Sequence, residues 1–196
     1  MTSNDPTAGR AATAAPAPTT ATAGTTVVGG TSVSDHAGTW TLDAEHTSVE
    51  FHTKAMWVLG VRGTANALRG GGTVGEDGAV SGKLVIDATS IDTRNKRRDA
   101  HLQTADFFDT MRHPTIELEA TGVRFVSPGR AEVTGTLIVH GQGRPITVPA
   151  DVEVDDGSVT LSAEVAIDRS EWGMTWAKMG AGLRNRVVVH ARFTKD

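Results

Sequence analysis

From about residue 39 to the C-terminus, apolar and polar residues alternate with a period of two, which predicts β-strands having one dry and one wet face. Val49, Phe51 and Ala55 alternate with Ser48, Glu50, His52 and Lys54, and Leu84 and Ile86 with Lys83, Val85 and Asp87. Ile116, Leu118 and Ala120 form the next row, followed by Val133, Leu137 and Val139. Three longer rows complete the pattern: Ile146, Val148, Ala150, Val152, Val154; then Val159, Leu161, Ala163, Val165, Ile167; then Val187, Val189, Ala191, Phe193. Turn signals separate the rows at Gly70-Gly71-Gly72, Glu76-Asp77-Gly78, Pro128-Gly129, Gly141-Gln142-Gly143 and Asp155-Asp156-Gly157. Short turns join antiparallel neighbours, so the sheet is expected to be a meander. Around eight such strands, with little helix to cover their dry faces, are expected to close into an all-β barrel. Only the stretch from Thr93 to Met111 departs from the alternation; Leu102, Ala105, Phe107 and Phe108 there lie among charges at nearer helical spacing. One or two short helices are expected, ending before Pro114.

Residues 1–38 read differently. They are rich in Ala, Thr, Pro, Gly and Ser and contain almost no large apolar residue, a composition that cannot offset the entropy of ordering. This segment is expected to be a disordered tail and residues 39–196 the single folded domain. Asp5 and the lone Arg10, with no apolar run behind them, do not make a readable export signal, so a cytoplasmic location is expected. No stretch is long enough for a membrane-spanning helix, although transient membrane contact remains compatible with the pattern.

The 196 residues include no Cys, which excludes disulfides, thiolate metal sites and a Cys nucleophile. A net charge of -4 disfavours nucleic acid as a partner. The run Gly70-Gly71-Gly72-Thr73-Val74-Gly75 lacks the Lys-Ser/Thr of a phosphate loop and opens no helix, so it reads as a hairpin. His46, His52, His101, His113, His140 and His190 lie on separate segments without local metal-ligand spacing and are assigned structural hydrogen bonds; neither a metal nor another cofactor is expected. Asp43, Asp92, Asp99 and Asp168 read as caps.

An ordered set of motifs resembles the YceI-like family of lipocalin-like polyisoprenoid-binding proteins. It comprises Trp40-Thr41-Leu42-Asp43 with His46, Val61-Arg62-Gly63, Ser90-Ile91-Asp92-Thr93, Arg98-Asp99-Ala100-His101-Leu102, Asp106-Phe107-Phe108-Asp109 and His113-Pro114-Thr115-Ile116. Thr134-Gly135-Thr136-Leu137, Arg144-Pro145-Ile146 and Asp168-Arg169-Ser170-Glu171-Trp172-Gly173 follow in the family's order. The resemblance covers nearly all of residues 39–196. It implies an extended eight-stranded antiparallel lipocalin-like barrel with helices, whose lumen holds an isoprenoid lipid or isoprenoid quinone.

Small inward aliphatics leave space where a packed β-core would fill it. The candidate lining residues are Val49, Phe51, Val61, Leu84, Ile86, Leu102, Ile116, Leu118, Leu137, Val165 and Ile167. Met56, Trp57, Val58, Phe107, Phe108, Trp172, Met174 and Trp176 join them as apolar clusters outside the alternation, fitting either a lipid entrance or ordinary core. Arg94, Arg98 and His101 are the head-group candidates, since guanidinium pairs well with phosphate; a solvated helix face or a structural salt bridge of Arg98 is the competing reading. A non-enzymatic carrier, store or sequestering protein for polyprenyl pyrophosphate or isoprenoid quinone is the leading expectation. The alternatives are an enzyme acting on such a lipid through Asp99/His101 or Asp43/His46, and an assembly protein whose apolar clusters bind a partner chain. A homodimer through the outer barrel face is compatible with all three.

Overall fold

The computed structural model describes residues 27–28, 31–56, 58–155 and 157–196. Most of the composition-defined tail, and Trp57, lie outside the described residues. Val27–Val28 (β1) and Thr31–Ser32 (β2) pair with each other, and Val33–His36 form a 3-10 turn with Val33 buried. The packed chain therefore starts several residues ahead of residue 39, because Val33 gives the end of the segment one apolar anchor.

The strands follow as β3 (Gly38–Ala55), β4 (Leu59–Ala65), β5 (Ala67–Val74), β6 (Val80–Asp87), β7 (Thr115–Ser127), β8 (Arg130–Val139), β9 (Gln142–Asp155), β10 (Ser158–Asp168) and β11 (Arg184–Lys195). From β5 to β11 each pairs antiparallel with the next, and β11 returns to β3 from Arg186↔His52 to Lys195↔Trp40. β3 uses residues 38–41 to pair with β5 and residues 49–55 to pair with β4, so β4 and β5 make one broken stave. The result is the expected closed eight-stave antiparallel barrel. No helix among the described residues is long and apolar enough to cross a membrane.

Two interruptions keep apolar side chains inside. Along β3, residues 44–47 bulge opposite the single Ala191, which switches the buried parity from Trp40 and Leu42 to Val49. Asp43 holds the excursion by accepting the His46 N–H, while the Thr47 hydroxyl donates to the Asp43 carbonyl and accepts the Arg192 N–H. In β7, Ala120 pairs with Gly135 and Gly122 with Thr134, leaving Thr121 as an extra residue. Ile116, Leu118 and Ala120 before it, and Val123 and Phe125 after it, all reach the interior.

The glycine run corrects the turn reading: Gly70, Gly71 and Gly72 lie inside β5. A Cβ there would come within 2.7–2.9 Å of the carbonyl oxygens of Lys83, Trp40 and Ser81, so absent side chains let three strands approach closely. Glu76-Asp77-Gly78 and Pro128-Gly129 do form turns, with Gly78 and Gly129 at positive φ. Val85, placed by alternation on the wet face, is 1% exposed, so β6 is covered on both sides at that position.

Between β6 and β7 the expected helical segment contains α1 (Lys96–Leu102), capped by the Asn95 side chain accepting the Arg98 N–H, then a series of turns up to Arg112. Phe108 and Leu102 pack on the core formed by Leu42, Val49, Leu84, Ile86 and Ile91. Together with residues 168–183, this segment forms a cap over the end where β3, β6, β8 and β10 finish.

Close strand approach gives a test. Gly135→Ala would place its methyl 2.2 Å from the Glu119 carbonyl oxygen, whereas a methyl at Gly60 would meet nothing within 4 Å. Gly135→Ala is expected to lower unfolding free energy by about 2 kcal/mol, and Gly60→Ala to change it by less than about 0.5 kcal/mol, in urea titrations.

Candidate functional site

The barrel encloses a cavity of about 1030 Å³ running from the cap to the opposite end. That is at the top of the roughly 300–1,000 Å³ range of small-molecule sites. β9 alone has 14 residues, about 45 Å of strand at roughly 3.3 Å per residue, so the space is long before strand tilt shortens it.

The structure brings most of the expected lining together. Val49, Phe51, Met56, Val61, Leu84 and Ile86 border the cavity from β3 to β6 and the β3–β4 turn. Leu102, Phe107 and Phe108 border it from the cap, and Ile116, Leu118, Leu137, Val165 and Ile167 from β7, β8 and β10. Trp172, Met174 and Trp176 close the cap end. Val58 is a correction: it stands 81% exposed in the β3–β4 turn, beyond the last strand pair that would cover it, and does not border the cavity.

Part of the apolar clusters is ordinary core. Trp172 and Met174 are nearly inaccessible and pack with Val139, Leu137 and Ile167, and the Trp172 indole donates to the Leu137 carbonyl at 3.0 Å. At the opposite end, Val33, Trp40, Phe125, Val154 and Val159 also line the space. Trp40 ties the 3-10 turn to the barrel by donating to the His36 carbonyl at 3.1 Å. Val154 and Val159 were legible as dry-face residues, while Val33 lay in the segment read as tail.

Among the described residues, every charged side chain lining the cavity is basic: Lys54, Lys83, Arg97, Arg98, Arg169 and Lys178, with His36 and His101. The described lining holds no carboxylate. Lys83 is spent on Glu117 at 2.6 Å and Glu119 at 3.0 Å; those bonds raise its pKa and hold Glu117 below the usual carboxylate range. Lys54, Lys178 and Arg169 share the cap end, since the Gly182 N–H donates to the Lys54 carbonyl and the Arg169 Nε to the Gly182 carbonyl.

Arg169 is the buried member and was missed as a site candidate, although it lies in a motif carrying the resemblance. Its three nitrogens donate to the carbonyls of Gly182, Met174 and Trp176, and its guanidinium lies 4.9 Å from the Phe107 ring centroid. Burial lowers its pKa, but a guanidinium stays charged at neutral pH. Beside it, Asp168 caps the following 3-10 turn through the Ser170 hydroxyl and N–H, and those bonds hold its carboxyl below the ordinary range.

Of the head-group candidates, Arg98 and His101 border the cavity and Arg94 does not. Arg94 occupies an exposed left-handed turn before α1, its N–H held by Asp92 at 2.6 Å; the next-turn Arg97 takes its place. Arg98 donates to the Thr93 hydroxyl and carbonyl at 2.6 and 2.8 Å, and Asp99 accepts the Thr93 N–H at 3.0 Å. The Asp99/His101 pair of the alternative enzyme reading is thus absent, because Asp99 is turned to Thr93. His101 instead bonds Asp106 at 2.9 Å and meets Phe107 and Trp176 edge-on. Asp43 and His46 do pair, at 2.7 Å, but outside the cavity lining.

A family model for the YceI-like domain matches residues 40–194. A UPF0312 protein of Vibrio parahaemolyticus is 30% identical over 108 residues, 54% of this chain and 57% of that relative. One of Pseudomonas aeruginosa is 31% identical over 110 residues, 55% of this chain and 57% of that relative. The matches thus span under two thirds of these relatives' length. Among solved structures, Burkholderia cenocepacia BcnA superposes with TM-score 0.68 at 19% identity, covering 77% of this chain and 98% of that one. A polyisoprenoid binding domain from Saccharophagus degradans gives TM-score 0.65 at 14% identity, covering 80% and 98%. These structural likenesses establish the shared barrel.

Arg169 holds three cap carbonyls at once. Arg169→Met is expected to cost about 3 kcal/mol in urea unfolding, because those carbonyls lose a charged donor. Arg169→Lys is expected to recover only part of this, since an ammonium cannot span the three acceptors as a guanidinium fork does.

Proposed function

The chain belongs to the YceI-like family, and from that membership and the form of its lumen we propose that it binds a long-chain isoprenoid lipid as a carrier or store. The supporting observation is a long apolar cavity whose only charged lining is basic and gathers mainly at the cap. An apolar chain fits the strand-lined length, and an acidic head such as pyrophosphate fits the end bearing Lys54, Arg97 and Lys178. An isoprenoid quinone would use the same length without drawing on the charge. The polyisoprenoid-binding name of the Saccharophagus domain agrees with this reading.

Burying each methylene yields about 0.8 kcal/mol, so a polyprenyl chain has ample gross driving force. Affinity is then limited by the cost of ordering chain and cap. Met56, Val58 and Leu59 stand 54%, 81% and 55% exposed in the turn beside the cap, and Met111 in the cap is 93% exposed. These apolar tips suit brief contact with a membrane surface during lipid transfer. An enzyme reading gains little from the lumen, whose lining lacks a carboxylate and in which the Asp99/His101 pair is not made.

Native mass spectrometry and organic extraction of the full chain test the proposal. Retention of one isoprenoid lipid per chain is expected, with prenyl pyrophosphate outcompeting a quinone of equal length. Ala163→Trp, which fills the lumen, is expected to reduce retention about tenfold or more without loss of fold. Failure to retain or take up either lipid would overturn the reading.

A further inference from the structure

At the cap end, outside the lumen, the β8–β9 hairpin meets the turns that lead from α1 into β7. Asp109 and His113 lie four residues apart there, joined by the His113 N–H donating to the Asp109 carbonyl at 2.8 Å. His140 comes from the hairpin, and its ring centroid lies 5.2 Å from that of His113 in an edge-on arrangement. Each of Asp109, His113 and His140 offers one ligand atom, and these atoms all lie within 4.8 Å of one another.

We propose that Asp109, His113 and His140 bind a divalent transition-metal ion of the zinc class, which fastens the cap segment to the β8–β9 hairpin. Two imidazoles and a carboxylate suit zinc, cobalt or nickel and leave a fourth position for water. Metal–ligand bonds of about 2.0 Å place tetrahedral ligands roughly 3.3 Å apart, so side-chain tips need close in by little more than an ångström. All three residues are half-buried, which keeps the tips near their places yet open to an ion.

Three further observations support the site. The His140 Nδ1 lies 3.4 Å from the Trp172 carbonyl oxygen, an orienting contact of the kind that leaves the other ring nitrogen for a metal. Gly141 supplies the space: a Cβ there would lie 2.5 Å from His113 Cε1, so a bare glycine admits this imidazole against the hairpin. Asp109 and His140 both hold positive φ, at 45° and 51°, a conformation uncommon outside glycine. One cation already stands near: Arg112 lies 3.4 Å from the Asp109 carboxylate, but it is 77% exposed and held loosely enough to yield to a divalent ion.

The consequence lies in what the clamp joins. Phe107 and Phe108, which border the lumen, directly precede Asp109, and Val139, which packs on Trp172 and Met174, directly precedes His140. An ion bound here would hold the aromatic part of the cap down onto the barrel rim.

Metal-free full-length protein titrated with cobalt(II), and with zinc in calorimetry, decides the matter. Uptake of one ion per chain in the micromolar range is expected, with a visible cobalt band and a rise of a few degrees in Tm under excess zinc. His113→Ala, His140→Ala and Asp109→Asn should each weaken binding at least about tenfold, while His190→Ala, remote on β11, should not. Ring resonances of His113 and His140 should move during zinc titration of the unaltered chain, a readout that does not depend on any variant folding. No uptake in the micromolar range, or uptake and ring shifts indifferent to these residues, would overturn the proposal.

Discussion

The structure depends on one pairing, that of β3 with β11. An antiparallel meander with a dry face leaves two open edges and a hydrophobic surface in water unless its ends meet. Here they meet along a ladder from Arg186↔His52 to Lys195↔Trp40. The join links residues about 140 apart in sequence, so its loop-closure cost falls on the last stave to dock. The four-residue excursion opposite Ala191 belongs to the same solution: it lets β3 bend from its β5 neighbour to its β4 neighbour without turning its apolar residues outward. Once closed, neither β3 nor β11 presents a free edge to the other, while the outer edge of β4 is met, among the described residues, only by the Thr64↔Asp92 bridge, and the inward side chains face one another across the lumen.

Closure alone does not produce a binding cavity, because a barrel of this size can be filled by its own side chains. What keeps it open is side-chain volume. The inner rows of β9, β10 and β11 are Val, Ala, Leu and Ile, with Phe193 the one aromatic in them, and they enclose about 1030 Å³. Protein interiors ordinarily pack as densely as organic crystals, and wall atoms facing a void forgo dispersion contacts. A chain-like guest restores those contacts along the whole length. Stability and binding are therefore linked in this molecule: an occupied barrel gains the packing that its own residues do not supply.

Much of the barrel was legible because alternation is a local property. The rows at Leu84 and Ile86, at Val148 to Val154 and at Val187 to Phe193 face inward as their spacing implied. Features created by contact between distant segments were not. Gly70-Gly71-Gly72 carries the composition of a turn, yet its glycines serve to let β3 and β6 approach β5, a demand visible only when the neighbouring carbonyls are in place. Asp99 and His101 are close in sequence, but Thr93 claims the first and Asp106 the second. Nothing local marks Arg169 as a buried anchor; residues 174–182 make it one by folding their carbonyls around it. The nearness of His113 and His140, 27 residues apart, likewise arises only from the docking of the cap on the hairpin.

Apart from the glycine run, these nonlocal features share the cap end of the barrel, and this gives the lumen a direction. At the far end the described lining is mainly apolar, with Val33, Trp40 and Phe125 bordering the space beside His36. At the cap, Arg169 is a charge that cannot leave, because its donors are committed to three carbonyls, while Lys54, Arg97 and Lys178 stand nearer solvent. Even with Asp168 next to Arg169, the described lining at that end carries basic groups and no carboxylate, which biases the electrostatic field there toward anions. A lipid with an apolar tail and an acidic head therefore has one favourable orientation, tail inward and head at the cap. On the proposed lipid-binding reading, strand length would set how much tail is accommodated and the loops of the cap would select the head. Chain-length and head-group preferences can consequently change independently, one through the rigid wall and the other through loop residues that tolerate substitution without breaking the ladder.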